Sequence, residues 1–142
     1  MMPRRYRERM GSPATGTYDD EALASFLADL ALVLGAEDLE AVTDRYDLPA
    51  LAVGQESSVL LTSPEEVLDL SRQRPAAARA RDAVAVVPEL GAVEEVGWGL
   101  LWVDVRWSYR DELAAESASE RCRYLLRRGR GTFAVCVVAP LD

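Results

Sequence analysis

The chain has 142 residues, a net charge of −8 and no histidine, and all 16 of its basic residues are arginine. Without imidazole, Ser-His and Cys-His nucleophiles, histidine general bases and histidine metal sites are excluded, leaving carboxylate, arginine, tyrosine and thiol chemistry. A pI of 4.6 disfavours nonspecific attraction to nucleic acid or anionic membrane, while the 49% hydrophobic fraction is ample for the core of one domain.

Residues 1–18 carry Arg4, Arg5, Arg7 and Arg9 against Glu8, followed by Gly11, Ser12, Pro13, Thr15 and Gly16. No apolar run follows the arginines, so this stretch reads as a disordered basic tail and not as a secretory signal. A single domain is expected over residues 19–142. Nothing approaches 18 consecutive apolar residues, and no transmembrane helix is expected.

Residues 19–34 have the spacing of an amphipathic helix. Leu23, Phe26, Leu27, Leu30 and Leu34 share one stripe, and Asp19, Asp20 and Glu21 suit its positive end. Gly35 is the expected C-cap. A shorter helix is predicted over residues 37–46, with Leu39, Val42 and Tyr46 along one side, and Asp47-Leu48-Pro49 breaks it. Residues 50–53 and 58–61 read as a hairpin around Gly54-Gln55-Glu56-Ser57. Ser63-Pro64-Glu65-Glu66 is a helix start: capping serine, proline at N1, glutamate at N3. That helix carries Val67, Leu68 and Leu70 and bends or stops at Pro75; residues 76–82 have the composition to resume it.

From Val84 onward the pattern is that of strands. Residues 84–96 are interrupted by Pro88 and Gly91, which suits an edge or bulged strand. Residues 100–110 form a long strand rich in Val, Trp and Tyr. Residues 119–128 and 132–139 form a hairpin around Gly129-Arg130-Gly131. Three helices before a meander of antiparallel strands give the α+β class.

Cys122 and Cys136 lack CxxC spacing and fit buried thiols in a reducing cytoplasm. With the last turn centred near Arg130, Cys122 would oppose Val138 and Cys136 would oppose Tyr124. The two are then diagonal neighbours, too far apart for an unstrained disulfide unless a bulge changes the register.

The order of these elements, with the phrases "FLADLALVLGAEDLEAVTDRYDLPAL", "LLTSPEEV" and "GLLWVDVRWSYRDE…ERCRYLLRRGRGTFAVCVV", resembles the nuclear transport factor 2-like superfamily, in particular its small bacterial SnoaL-like members. The likeness covers residues 19–139. It implies a cone: a strongly curved antiparallel sheet around a pocket, packed against three N-terminal helices and often paired as a homodimer. Members range from isomerases, cyclases, dehydratases and epoxide hydrolases to noncatalytic scaffold modules, so the fold does not fix the function.

The family's chemistry can be sought residue by residue. The isomerase branch places a carboxylate in the first strand after the second helix, and here Leu48-Pro49-Ala50-Leu51-Ala52-Val53 contains none. Asp47 is nearby, but its position favours a role in the turn. The dehydratase branch needs histidine and is excluded. The epoxide hydrolase branch uses an Asp–Arg–Asp set, for which Asp104 and Arg106 offer a comparison: two residues apart on one strand face, flanked by Trp102, with Arg123 approaching from a neighbouring strand. Against this, alternation makes Val103, Val105, Trp107 and Tyr109 the cleaner core face and turns Asp104 and Arg106 outward.

Among the aromatic residues, Tyr46 and Tyr124 are the preferred pocket candidates, able to orient a carbonyl or hydroxyl ligand. Arg127, Arg128 and Arg130 crowd one turn and read as solvated, not as a nucleic-acid loop. The expected ligand-binding set is thus Tyr46, Trp102, Asp104, Arg106 and Tyr124, with no catalytic residue assigned, no metal and no cofactor. Two readings stand. One is a cytoplasmic, homodimeric protein binding a small apolar molecule, with any catalysis cofactor-free and of isomerase, cyclase or hydrolase type. The alternative is a noncatalytic dimeric interaction or scaffold module whose interior is filled by its own side chains.

Overall fold

A computed structural model describes residues 19–74, 82–129 and 131–141. The expected N-terminal tail, the resumption of helix after Pro75 and the side chain of Arg130 lie outside these residues.

The elements run α1 (Asp20–Ala36), α2 (Leu39–Arg45), β1 (Tyr46–Val53), β2 (Ser58–Leu61), α3 (Pro64–Arg72), β3 (Ala85–Glu95), β4 (Leu100–Arg110), β5 (Glu116–Gly129) and β6 (Thr132–Pro140). The six strands form one sheet in the order β2-β1-β6-β5-β4-β3. All neighbours are antiparallel except β1 and β6, which pair in parallel. The class is α+β, as expected, with one parallel pair inserted.

Asp19 caps α1 by accepting from the Glu21 N–H at 2.9 Å. Leu23, Phe26, Leu27, Leu30 and Val33 are buried against the sheet, and fully burying each such side chain is worth about 1.5–3 kcal/mol. The C-cap is Glu37, not Gly35. Glu37 adopts the left-handed conformation (φ 55°), and its N–H donates to Leu34 O. Its carboxylate receives Arg72 Nη2 at 2.8 Å and Nε at 3.2 Å, so an ion pair to α3 holds a conformation that glycine would take without cost.

The second helix is shorter than the spacing predicted, because Asp38 caps it through the Ala41 N–H and Tyr46 has already turned extended. Asp47-Leu48-Pro49 therefore continues a strand instead of breaking a helix, with a cis Leu48–Pro49 bond. The start of α3 is as read from sequence: Ser63 Oγ accepts from the Glu66 N–H, and Glu66 Oε1 accepts from Thr62 N at 2.6 Å and Thr62 Oγ1 at 2.7 Å.

The strand β3 is an edge with a register shift between Leu90 and Val93, as the proline and glycine suggested. In the β5–β6 hairpin a shift between Leu125 and Leu126 leaves Cys136 unpaired in the ladder. Cys122 then opposes Pro140, and Tyr124 opposes Val138. This corrects the unbulged register, and both cysteines are free thiols.

The core lies between the helices and one face of the sheet. Close backbone contacts of α1 are with β3 and β6, the strands on either side of the β5–β4 pair. The sheet thus curls around the helix, and the inner face of β4 and β5 forms the floor of the curve.

Candidate functional site

Alternation decides what each strand presents. On β4, Leu101, Val103, Val105, Trp107 and Tyr109 are buried, while Trp102, Asp104 and Arg106 are only half-buried. Facing them on β5, Glu120, Cys122, Tyr124 and Leu126 are buried. The register sets Trp107 opposite Glu120, Val105 opposite Cys122 and Val103 opposite Tyr124.

This placement corrects the expectation for Trp102, Asp104 and Arg106. They lie on the sheet face away from the core, and so do not line its concave side. Asp104 receives Arg123 Nε at 2.7 Å, and that guanidinium also sits over the Trp102 ring, 5.9 Å from its centroid. Arg106 holds Glu89 through Nη1 at 2.9 Å and Glu116 through Nη2 at 2.6 Å. Glu116 also accepts from Ser108 Oγ at 2.6 Å, and Arg106 and Ser108 together lower its carboxyl to about 2. These residues form a charged ladder across β3, β4 and β5. Asp47 is likewise spoken for, in an ion pair with Arg127.

Tyr46 and Tyr124, the other two expected pocket residues, are both buried on the core side. Tyr124 Oη accepts from Trp107 Nε1 at 3.0 Å, and the two rings meet edge to face. Phe26 of α1 packs on Phe133 in the same edge-on way.

Two residues that the sequence reading did not single out complete the inner face. Glu120 is 6% exposed and is the one buried carboxylate among the described residues. Arg74, just beyond α3, brings Nη1 to 2.7 Å from Glu120 Oε1. Its Nε and Nη2 reach Ser71, and Nη2 lies 3.5 Å from Tyr109 Oη. Arg74 Nη1 and Oε1 form a close charge pair, and the Tyr109 hydroxyl faces the same carboxylate.

Electrostatics bind this group together. Burial works against the Arg74 charge, but Glu120, with Tyr109, Tyr124 and Cys122, outweighs it and holds the guanidinium above its ordinary value. Burial raises the hydroxyl of Tyr46, with Cys122 adding to it and Arg74 opposing. Burial also raises Tyr109, where Arg74 opposes and Glu120 reinforces, and it raises Tyr124 well above the ordinary phenol value. Burial pushes the Cys122 thiol up to about 11. At neutral pH the inner face therefore presents, beside Glu120, a charged guanidinium, three neutral phenols and a neutral thiol on an apolar floor.

The signal for Glu120 was present in the alternation Glu120, Cys122, Tyr124, Leu126, one acid on an otherwise apolar face. Arg74 carried no such signal, because its role depends on where the end of α3 comes to rest. Among the described residues no group of three or more Cys, Asp or Glu is arranged to hold a metal ion. No helix among them is long and apolar enough to cross a membrane.

Residues 20–142 match the family described as NTF2-like protein (DUF6841). No curated protein matches the sequence. The fold is similar to that of an NTF2-like protein of unknown function from Shewanella oneidensis MR-1, with TM-score 0.60 and 10% identity over 86% of this chain and 98% of that one. It is similar to an NTF2-like protein from Cytophaga hutchinsonii, with TM-score 0.58 and 14% identity over 87% and 97%. It is also similar to a ketosteroid isomerase-like protein from Erwinia carotovora atroseptica, with TM-score 0.53 and 11% identity over 88% and 99%. At such identities the likeness is one of fold.

Proposed function

The chain belongs to the NTF2-like family, and from that premise we propose that it is a cytoplasmic small-molecule-binding protein of the SnoaL-like kind. It uses the concave face of β4 and β5 as its site. The observation that carries this reading is Glu120: a carboxylate taken out of water is costly, and such a group on the floor of a curved sheet is a functional candidate. Leu101, Val103 and Val105 supply apolar contact, while Tyr46, Tyr109 and Tyr124 bring hydroxyls to orient an oxygen-bearing ligand.

The chemistry available is cofactor-free proton transfer. Glu120 would take a proton from the carbon between the carbonyl and a C=C bond of a β,γ-unsaturated substrate while a tyrosine O–H hydrogen-bonds the carbonyl oxygen, then return it to the γ carbon as the double bond moves into conjugation, so that the product is an isomer. A thermal-shift screen of small cyclic ketones, alcohols and lactones tests the reading. Ligands that raise the midpoint of the wild type and lose that effect in Tyr46→Phe or Tyr124→Phe support it. A screen in which nothing shifts the wild type counts against it.

A second reading, the noncatalytic dimeric module, has one observation in its favour. Trp107 and Tyr124 satisfy each other, amid fully buried apolar side chains, as in an interior filled by its own residues. Under it no small molecule raises the midpoint, and the protein sediments as a dimer.

A further inference from the structure

We infer that Tyr46 is the one of the three buried tyrosines whose hydroxyl meets the ligand, donating to an acceptor oxygen that the ligand brings, while Tyr109 and Tyr124 are held by neighbouring side chains. This deepens, and rests on, the reading of the inner face as a small-molecule site.

The three phenols sort by their partners. Tyr109 Oη faces the Glu120 carboxylate and lies 3.5 Å from Arg74 Nη2. Tyr124 Oη accepts from Trp107 Nε1 at 3.0 Å and also faces the Cys122 sulfur. The Tyr46 hydroxyl makes no hydrogen bond to any described residue, although its residue is only 7% exposed. Keeping a hydroxyl out of water without a partner is costly, so such a group calls for one.

The hydroxyl is not what holds Tyr46 in place. Its backbone N–H caps α2 by donating to Val42 O, and the residue pairs with Val135 of β6 at the head of β1. A phenylalanine would keep both attachments and the same ring packing. The oxygen therefore adds polarity to the inner face and nothing to the fold.

The balance of donors and acceptors then gives the chemistry of the partner. Donors are plentiful on this face: the Arg74 guanidinium, the Trp107 indole and three phenols that burial keeps protonated. Glu120 is the one buried carboxylate among the described residues, and Arg74 and Tyr109 already face it. A ligand gains most here by bringing an acceptor to the unengaged donor, and a ketone oxygen is such a group.

Two probes of one shape test this at pH 7 by ligand-observed NMR: acetophenone, and α-methylstyrene, in which a CH₂ group stands where the carbonyl oxygen was. The wild type should bind acetophenone about fivefold more tightly, the worth of one neutral hydrogen bond. In Tyr46→Phe the affinity for acetophenone should fall to that for α-methylstyrene. Equal binding of the two probes by the wild type overturns the inference while leaving the binding site intact. A preference that survives Tyr46→Phe, or that is lost instead in Tyr124→Phe, overturns it as well. If neither probe binds, the site itself falls, and the inference with it. Should Tyr46→Phe fail to fold, NOEs from the acetophenone methyl group decide on the wild type: contact with the Tyr46 ring supports the assignment, and contact with Tyr109 or Tyr124 without Tyr46 overturns it.

Discussion

Arg74 Nη1 stands 2.7 Å from Glu120 Oε1, joining the end of α3 to the middle of β5 by an ion pair on the core side of the sheet. Breaking such a buried pair from one side leaves an uncompensated charge, whereas replacing both members with apolar groups does not. Arg74→Met should therefore destabilise the protein by about 3 kcal/mol, and the double variant Arg74→Met with Glu120→Leu should recover most of that loss. Urea denaturation of the single and double variants measures both. Additive losses in the double variant would show that the two residues are not coupled.

Tyr124 and Tyr46 are buried tyrosines with different attachments. Removing the Tyr124 hydroxyl orphans the Trp107 indole N–H, whereas no hydrogen bond of the Tyr46 hydroxyl is seen among the described residues. Tyr124→Phe should cost about 1–2 kcal/mol and Tyr46→Phe less than about 0.5 kcal/mol. Chemical denaturation of the two variants side by side checks the order.

The outer ladder predicts behaviour in acid. Glu116 is lowered from 4.5 to about 2 by Arg106 and Ser108, so its contribution is present above its ordinary value and lost as pH falls toward about 2. Stability of the wild type should decline through that window, whereas Glu116→Gln should be less stable near neutrality and show a shallower decline, so that the two curves converge toward pH of about 2. A variant curve parallel to the wild type throughout would refute the assignment.

The thiols predict behaviour in alkali. Burial lifts Cys122 from 9.0 to about 11, so ionising it opposes folding only as pH rises past its ordinary value, between about 9 and 11. At pH 8 Cys122 is both neutral and buried, and Cys136 is only partly covered. Iodoacetamide should label Cys136 first, and Cys136→Ser should resist labelling until denaturant is added. Equal rates at the two sites would contradict the burial of Cys122.

Much of the fold was legible before the structure. Ser63-Pro64-Glu65-Glu66 announced α3 because capping is local chemistry, and the bounds of β4 followed from unbroken β-branched and aromatic residues. The alternation on β4 also favoured turning Asp104 and Arg106 outward, as they are. What escaped was set by tertiary contact. Glu37 replaces Gly35 as a cap because Arg72 of another helix holds it, and the parallel pairing of β1 draws Tyr46 out of a helical stripe into a strand. Cys136 sits in a bulge that hairpin counting cannot see. The heart of the candidate site belongs to the same class, since the Glu120–Arg74 contact spans 46 positions of sequence.

The central claim, that ligands enter on the concave side of β4 and β5, is tested most directly by the three tryptophan indole signals in a ¹H–¹⁵N spectrum during titration with phenol. Trp107 lies on the inner face opposite Glu120, Trp102 on the outer face, and Trp98 is almost fully exposed in the β3–β4 turn. The Trp107 signal should move saturably while those of Trp102 and Trp98 stay in place, and Glu120→Gln should weaken the response where Asp104→Asn and Arg106→Gln leave it unchanged. Movement of Trp102 or Trp98 with Trp107 still would contradict the claim.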